Sequence, residues 1–315
     1  MNIMDRLYAR ISELKNPTVA GLDTRIEYLP ESFVKEVLPE GIRSFEDAAE
    51  AVYQYNVRLV DALCDIVPAV KVQVAYYEMY GWPGVKALHD TIAYAKEKGL
   101  FVITDGKRND IGATMTAYAA AHLGQVPVEG ELVSPFGADA LTVNGYLGSD
   151  GITPLLTVCR EQDTGIFVLV KTSNPSSGEL QDRLLDDGKT LYAAMGDRCE
   201  QWGGQLPGKY GYSGVGAVVG ATYPAQLQEM RKAAPHTFFL VPGYGAQGGA
   251  ADDVAPGFDE KGLGAIVNSS RGIMCAWQKA GQKTGQDGKN YGQAAREEAI
   301  RMRDAIVARI GKISL

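Results

Sequence analysis

A closed α/β barrel of the (β/α)8, or TIM-barrel, type is the fold this sequence predicts, on three observations. Eight short, apolar, largely β-branched runs recur along its 315 residues, each run ends in small or polar residues, and helical patterns alternate with the runs. Strands that are apolar on both faces belong to parallel sheets covered by helices, since neither face meets water. Eight of them in one chain suggest closure, and barrels of this length form one domain, so residues 1–315 are read as a single domain.

The elements follow in order. The start, MNIMDRLYARISELKNP, reads as a short amphipathic helix with Ile3, Leu7, Ile11 and Leu14 on one face; it lacks the apolar core of a signal peptide. The first two runs are TVAGLD (18–23) and AVKVQVA (69–75), separated by a helical pattern at 45–66. A second helix at 84–98 leads to FVITDGK (101–107), and a third at 111–123 leads to ALTVN (140–144). GIFVLVKT (165–172) is followed by a helix at 188–201, and GVGAVVGA (214–221) by another at 223–234. FFLVPGY (238–244) and GAIVNSS (264–270) complete the set before a closing amphipathic stretch at 292–310. Two strand-to-helix connections, 24–44 and 174–187, are far longer than the usual few residues. Both fall on the side of the barrel where chemistry is built.

Composition excludes several classes of function. Hydrophobic residues make up 45% of the chain, enough for a sizeable core. A net charge of −7 argues against a nucleic-acid partner, which calls for a basic face; a small anionic ligand needs only one or two local cations. Cys64, Cys159, Cys199 and Cys275 are dispersed without a C-x-x-C pair, which disfavours zinc and a disulfide framework and fits a reducing cytoplasm. His89, His122 and His236 have no partner at metal-ligand spacing and are assigned no role. No stretch is apolar for long enough to span a bilayer, so no membrane partner is expected.

Chemistry in such barrels sits at the C-terminal strand ends, which here carry Asp23, Lys71, Asp105, Lys107, Asn144, Lys171, Gly243 and Ser270. The third strand ends in DGKRNDIGAT, which puts Asp105 and Lys107 on one side of the strand and Asp110 at the start of a helix. Charges after the apolar run FVIT must pair with one another, bind a ligand, or both. A plainer reading is a salt bridge plus Asp110 as an N-cap.

The pattern D-x-K-x-x-D-I-G-x-T resembles the signature of the orotidine 5'-monophosphate decarboxylases, matched by Asp105, Lys107, Asp110, Ile111, Gly112 and Thr114. The resemblance continues at GLD (21–23), VKVQ (70–73), TSNPSSGEL (172–180), VPGYGAQGG (241–249) and NSSRG (268–272), and the length resembles the longer subfamily. It implies a charge network of Lys71, Asp105, Lys107 and Asp110 around the reacting pyrimidine. It also implies a homodimer in which Asp110 and Thr114 reach across the interface, and a decarboxylation without metal or cofactor. In that chemistry Asp105 lies beside the substrate carboxylate and Lys107, kept protonated by its acidic neighbours, protonates the C6 carbanion. A fixed ammonium in a water-poor site stabilises developing negative charge without an electron sink.

A phosphate site is expected after strands seven and eight. PGYGAQGG offers backbone N–H groups that an anion can approach closely, and Arg271 supplies a forked donor. The resemblance assigns Gln247 and Arg271 to the phosphate, with the loop bearing Gln247 as a lid. It assigns Asp23 and Thr114 to the ribose hydroxyls and Ser173 to the pyrimidine edge. By their residue types alone Asp23 could be a turn acceptor, Thr114 a first-turn helix residue and Ser173 a loop hydroxyl. Lys171 matches no family position and is left out of the site.

Three rival functions remain to be weighed. Magnesium-dependent sugar-phosphate enzymes of the same superfamily share D-x-K-x-x-D, but they carry a carboxylate at the end of strand two, where this chain has Lys71. A Schiff-base lyase would want a lysine of lowered pKa, which two flanking aspartates oppose. A catalytically silent nucleotide-binding barrel would have no use for the Lys107 network.

Overall fold

The computed structural model describes residues 2–245, 249–279 and 290–313. All eight expected strands are present: β1 (Thr18–Leu22), β2 (Ala69–Gln73), β3 (Phe101–Arg108), β4 (Ala140–Val143), β5 (Gly165–Lys171), β6 (Val215–Val219), β7 (Phe239–Val241) and β8 (Ala265–Ser269). They pair in parallel in chain order, and β1 closes on β8 with Thr18 opposite Val267. Closure removes the free edges that an open parallel sheet would expose.

Helices Phe45–Leu63, Gly81–Glu97, Gly112–Leu123, Leu191–Gly203, Pro224–Ala233 and Tyr291–Ile310 follow their strands much as the apolar periodicity predicts. The first of them starts at a capping box, with Ser44 Oγ accepting from the Asp47 amide and the Asp47 carboxylate accepting from the Ser44 amide. A further outer helix, Ser149–Gln162, escaped the sequence reading: Gly151 and Pro154 interrupt its pattern, yet Ile152, Leu155, Leu156 and Cys159 make a buried face. The long connection 24–44 contains a short helix, Glu31–Val37, and a two-stranded hairpin, Val126–Val128 with Val133–Glu131, precedes β4.

Strand parity sorts the core into two parts. Residues on one face, such as Val70, Val72, Val102, Leu141 and Val168, pack outward against the helices. Those on the other face, including Val19, Phe101, Ile103, Phe167 and Ile266, fill the lower barrel. The N-terminal helix Ile3–Leu14 closes the floor, burying Ile3, Met4, Leu7 and Ile11 against these residues. The floor is therefore dry, and the open end is left for polar groups.

None of the four cysteines is disulfide-bonded. His89 and His236 are exposed beside Asp90 and Glu200, whereas His122 is buried and stacked on Phe136 at 5.0 Å. Burial, with a smaller contribution from Arg108, pushes the His122 imidazole down to about 4, so it is a neutral packing group at pH 7. No helix among the described residues is long and apolar enough to cross a membrane.

Candidate active site

The inward parity that fills the floor continues upward into charged residues. Lys71 shares the inner face with Ala69, Asp105 with Phe101 and Ile103, and Asp23 follows β1 directly. Together they line a cavity of about 700 Å³ at the C-terminal mouth, along with Lys107, Ser173 and Arg271.

At its floor the charges alternate. Lys71 Nζ lies 3.0 Å from both Asp23 Oδ1 and Asp105 Oδ2, and Lys107 Nζ lies 2.7 Å from Asp105 Oδ1. The remaining lone pairs of Asp105 accept from Gln73 Nε2 at 3.0 Å and Thr142 Oγ1 at 2.8 Å. Burial by itself would raise the Asp105 pKa, but the ammonium groups of Lys71 and Lys107 outweigh it and hold the carboxyl far below the usual range. Burial would likewise lower Lys71, yet Asp105 and Asp23 hold it above the ordinary lysine value. Both groups stay charged across the whole neutral range.

Two backbone features make this arrangement possible. Gly21 is required because a Cβ there would fall 2.0 Å from Ser270 Oγ, and that hydroxyl donates to Asp23 Oδ2 at 2.8 Å. Lys107 has φ +48°, in the left-handed region that costs a non-glycine residue on the order of 1 kcal/mol or more. The strand is irregular here: between Thr104 and Arg108 it spans more residues than β4 opposite, and the Lys107 amide donates to Thr142 Oγ1 at 3.0 Å. The strain serves to bring the ammonium of Lys107 back onto Asp105, with its side chain about half exposed to the cavity.

Two residues named from the sequence lie elsewhere in their own chain. Asp110 and Thr114 do not line this cavity; Thr114 is exposed on the helix Gly112–Leu123. The plainer reading of Asp110 as an N-cap also fails, because the cap residue is Ile111 and the Asp110 carboxylate accepts from the adjacent Ile111 amide, which precedes the helix. Gln247 lies outside the described residues. The ends of its loop are tied by Gly249 N to Gly243 O at 3.1 Å and Gly245 N to Gly249 O at 2.8 Å, and Pro242, Gly243 and Tyr244 line the cavity.

Gln73, Thr142, Asn268, Arg25, Tyr28 and Tyr76 also line the cavity, although no motif in the sequence singles them out. Parity was the available signal for three of them: Gln73 is two residues beyond Lys71, Thr142 two beyond Ala140, and Asn268 two beyond Ile266. Asn144, a strand end in the sequence, instead accepts from the Tyr146 amide and does not reach the cavity. Among the described residues, no cluster of three His, Cys, Asp or Glu side chains is placed to hold a metal ion.

The sequence profile of the "Orotidine 5'-phosphate decarboxylase / HUMPS family" matches residues 43–282. The chain belongs to this family. Among relatives named orotidine 5'-phosphate decarboxylase, the protein of Rhodopirellula baltica is 45% identical over 97% of this chain and 99% of its own length. That of Caldicellulosiruptor bescii is 42% identical over 88% of this chain and 91% of its own. Of solved structures, the Leishmania donovani OMP decarboxylase covers 97% of this chain and all of its own at 29% identity, with a TM-score of 0.69.

Proposed function

We propose that this chain converts orotidine 5'-monophosphate to uridine 5'-monophosphate, a step of pyrimidine biosynthesis, with Lys107 as the acid. The observation that carries the reading is the row Asp23–Lys71–Asp105–Lys107 on the inner face of the barrel mouth. With the pyrimidine carboxylate beside Asp105, the bond from C6 to the carboxyl carbon breaks heterolytically. Carbon dioxide leaves, the electron pair stays on C6, and a proton from Lys107 Nζ takes it up. The fixed positive charge stabilises the forming carbanion in a site whose polar groups need not reorganise.

Arg271 and the loop around Gln247 suit the 5'-phosphate, Asp23 suits a ribose hydroxyl, and Ser173 suits the pyrimidine edge. Binding energy gathered at the phosphate can then support chemistry at the base. The magnesium reading meets an obstacle in Lys71, whose buried ammonium already sits 3.0 Å from both carboxylates that a divalent ion would need. The Schiff-base reading meets another, since Lys107 Nζ is engaged by the Asp105 carboxylate at 2.7 Å, whereas a Schiff-base lysine wants a desolvated site without a carboxylate partner. The test is to incubate chelator-treated protein with orotidine 5'-monophosphate and follow the fall in ultraviolet absorbance. Conversion is expected; a folded protein that leaves the nucleotide unchanged would overturn the proposal.

The active form is a homodimer, working in the cytoplasm, in which Asp110 and Thr114 complete the partner's site. Support comes from their placement outside their own cavity and from Ile111, which stands between them in the chain as an apolar side chain half exposed to solvent. Lys107→Ala and Asp110→Ala chains should each be inactive, and a re-equilibrated mixture should recover about a quarter of wild-type activity, because half the dimers then hold one intact site. No recovery on mixing would place Asp110 in its own chain's site or in none.

A further inference from the structure

Lys171 is a cation at a strand end that lies outside the cavity. It ends β5 with its side chain fully buried, although parity with Phe167 and Leu169 would aim it into the barrel. A register shift between Leu169 and Lys171 turns it outward instead. Its ammonium sits 4.7 Å from the ring of Tyr223, 5.5 Å from that of Tyr192 and 2.5 Å from Asp182 Oδ1. Asp182 belongs to the long connection 174–187, for which neither the fold nor the chemistry so far provides a reason.

A second tie joins the same connection to the same strand end. Gln181 Oε1 accepts from the Thr172 amide at 2.9 Å, and Gln181 Nε2 donates to Thr172 Oγ1 at 2.8 Å. Thr172, Ser173 and Asn174, the next three residues of the chain, form one wall of the cavity. On the other side the wall rests on Gly220, where a Cβ would fall 2.9 Å from that of Ser173. Ser173 is thus held between the end of β6 and a segment latched by Gln181 and Asp182.

We infer that Lys171, Gln181 and Asp182 are positioning residues that set Ser173 against the pyrimidine edge, an inference that rests on the proposed nucleotide substrate. The physical reason is the burial of Lys171. An aliphatic side chain would fill the same space without needing a partner, whereas a buried ammonium is costly unless a carboxylate meets it. The lysine therefore makes the docked position of the 174–187 segment the one in which its charge is matched, and docking fixes the Thr172–Asn174 wall through Gln181.

The test compares Asp182→Asn and Gln181→Ala with wild type in the full-length protein, reading orotidine 5'-monophosphate turnover and the affinities for uridine 5'-monophosphate and ribose 5-phosphate. Both variants should lose about 10- to 100-fold in kcat/KM, the scale of a small misplacement at the reacting centre. Both should weaken uridine 5'-monophosphate and leave ribose 5-phosphate, which has no base to position, at wild-type affinity. In a Ser173→Ala background the further loss should vanish. Equal weakening of both ligands, full additivity with Ser173→Ala, or wild-type behaviour of the variants would each overturn the inference. Should Asp182→Asn fail to fold around its unpaired lysine, Gln181→Ala leaves no buried charge and carries the test. Wild-type turnover in the same experiment separates the two proposals: with it, a negative result removes the latch alone; without it, the substrate reading fails.

Discussion

Replacing Lys107 with alanine is expected to reduce kcat for orotidine 5'-monophosphate by on the order of 10⁴-fold or more, combining the loss of a positioned acid with the loss of a fixed charge at the reacting carbon. The geometry makes this residue difficult to replace. Its backbone occupies the left-handed region, its amide is held by Thr142, and its ammonium is 2.7 Å from Asp105. Among the described residues no other ammonium at the cavity can take over, because Lys71 is buried between two carboxylates and Lys171 does not line it. Binding should suffer far less than turnover, since the residues proposed for the phosphate and the ribose, Arg271 and Asp23, follow other strands. The check is a comparison of kcat with the dissociation constant for uridine 5'-monophosphate. A variant that keeps within about tenfold of the wild-type rate would remove Lys107 from the chemistry, because a lost general acid alone costs more than that.

Lys71→Met should act on stability first and on activity through it. Lys71 is 4% exposed and bridges Asp23 and Asp105, so removing its charge leaves two carboxylates facing each other with only Lys107 to compensate one of them. Breaking a buried pair in this way typically costs about 3–5 kcal/mol. The sign of the pH dependence follows from the shifts. Asp105 has a depressed pKa, so its contribution is present above the unfolded value of about 3.9 and is lost as pH falls through the lower folded value. Lys71 has a raised pKa, so its contribution is present below the unfolded value of about 10.4 and is lost as pH rises through the higher folded value. Wild type should therefore draw on the network evenly between about pH 4 and about pH 10. In Lys71→Met the deficit should be greatest at neutral pH and shrink under mild acid, where the unpaired carboxylates can take up protons. Denaturant melts of both proteins across this range provide the check, and a deficit that grows on acidification would contradict the assignment.

The barrel was legible because its strands are buried on both faces, and continuous apolar runs such as GIFVLVK resemble few other structures. The helix Ser149–Gln162 was not, because Gly151 and Pro154 fall among its apolar positions and packing supplies what local propensity does not. The charged site residues were legible where a charge ends an apolar run, as at Asp23, Asp105 and Lys107. Gln73, Thr142 and Asn268 are neutral, and only the barrel's parity, known once closure is seen, shows that they face the cavity. Lys171 illustrates the converse. Its strand position suggested a functional cation, and a register shift that no local pattern announces turns it outward. Asp110 and Thr114 belong to the D-x-K-x-x-D-I-G-x-T pattern, yet neither lines the cavity of its own chain, and no pattern within one chain announces that.

If this cavity stabilises negative charge at C6 and Lys107 holds the proton that quenches it, the reverse proton transfer must run on the product as well. The most direct measurement is exchange of the C6 hydrogen of uridine 5'-monophosphate for deuterium, followed by proton NMR in heavy water with wild type and Lys107→Ala side by side. Exchange should be catalysed by wild type and stay at background in the variant. Exchange that survives unchanged in Lys107→Ala, or is absent from a wild type that binds the nucleotide, would contradict it.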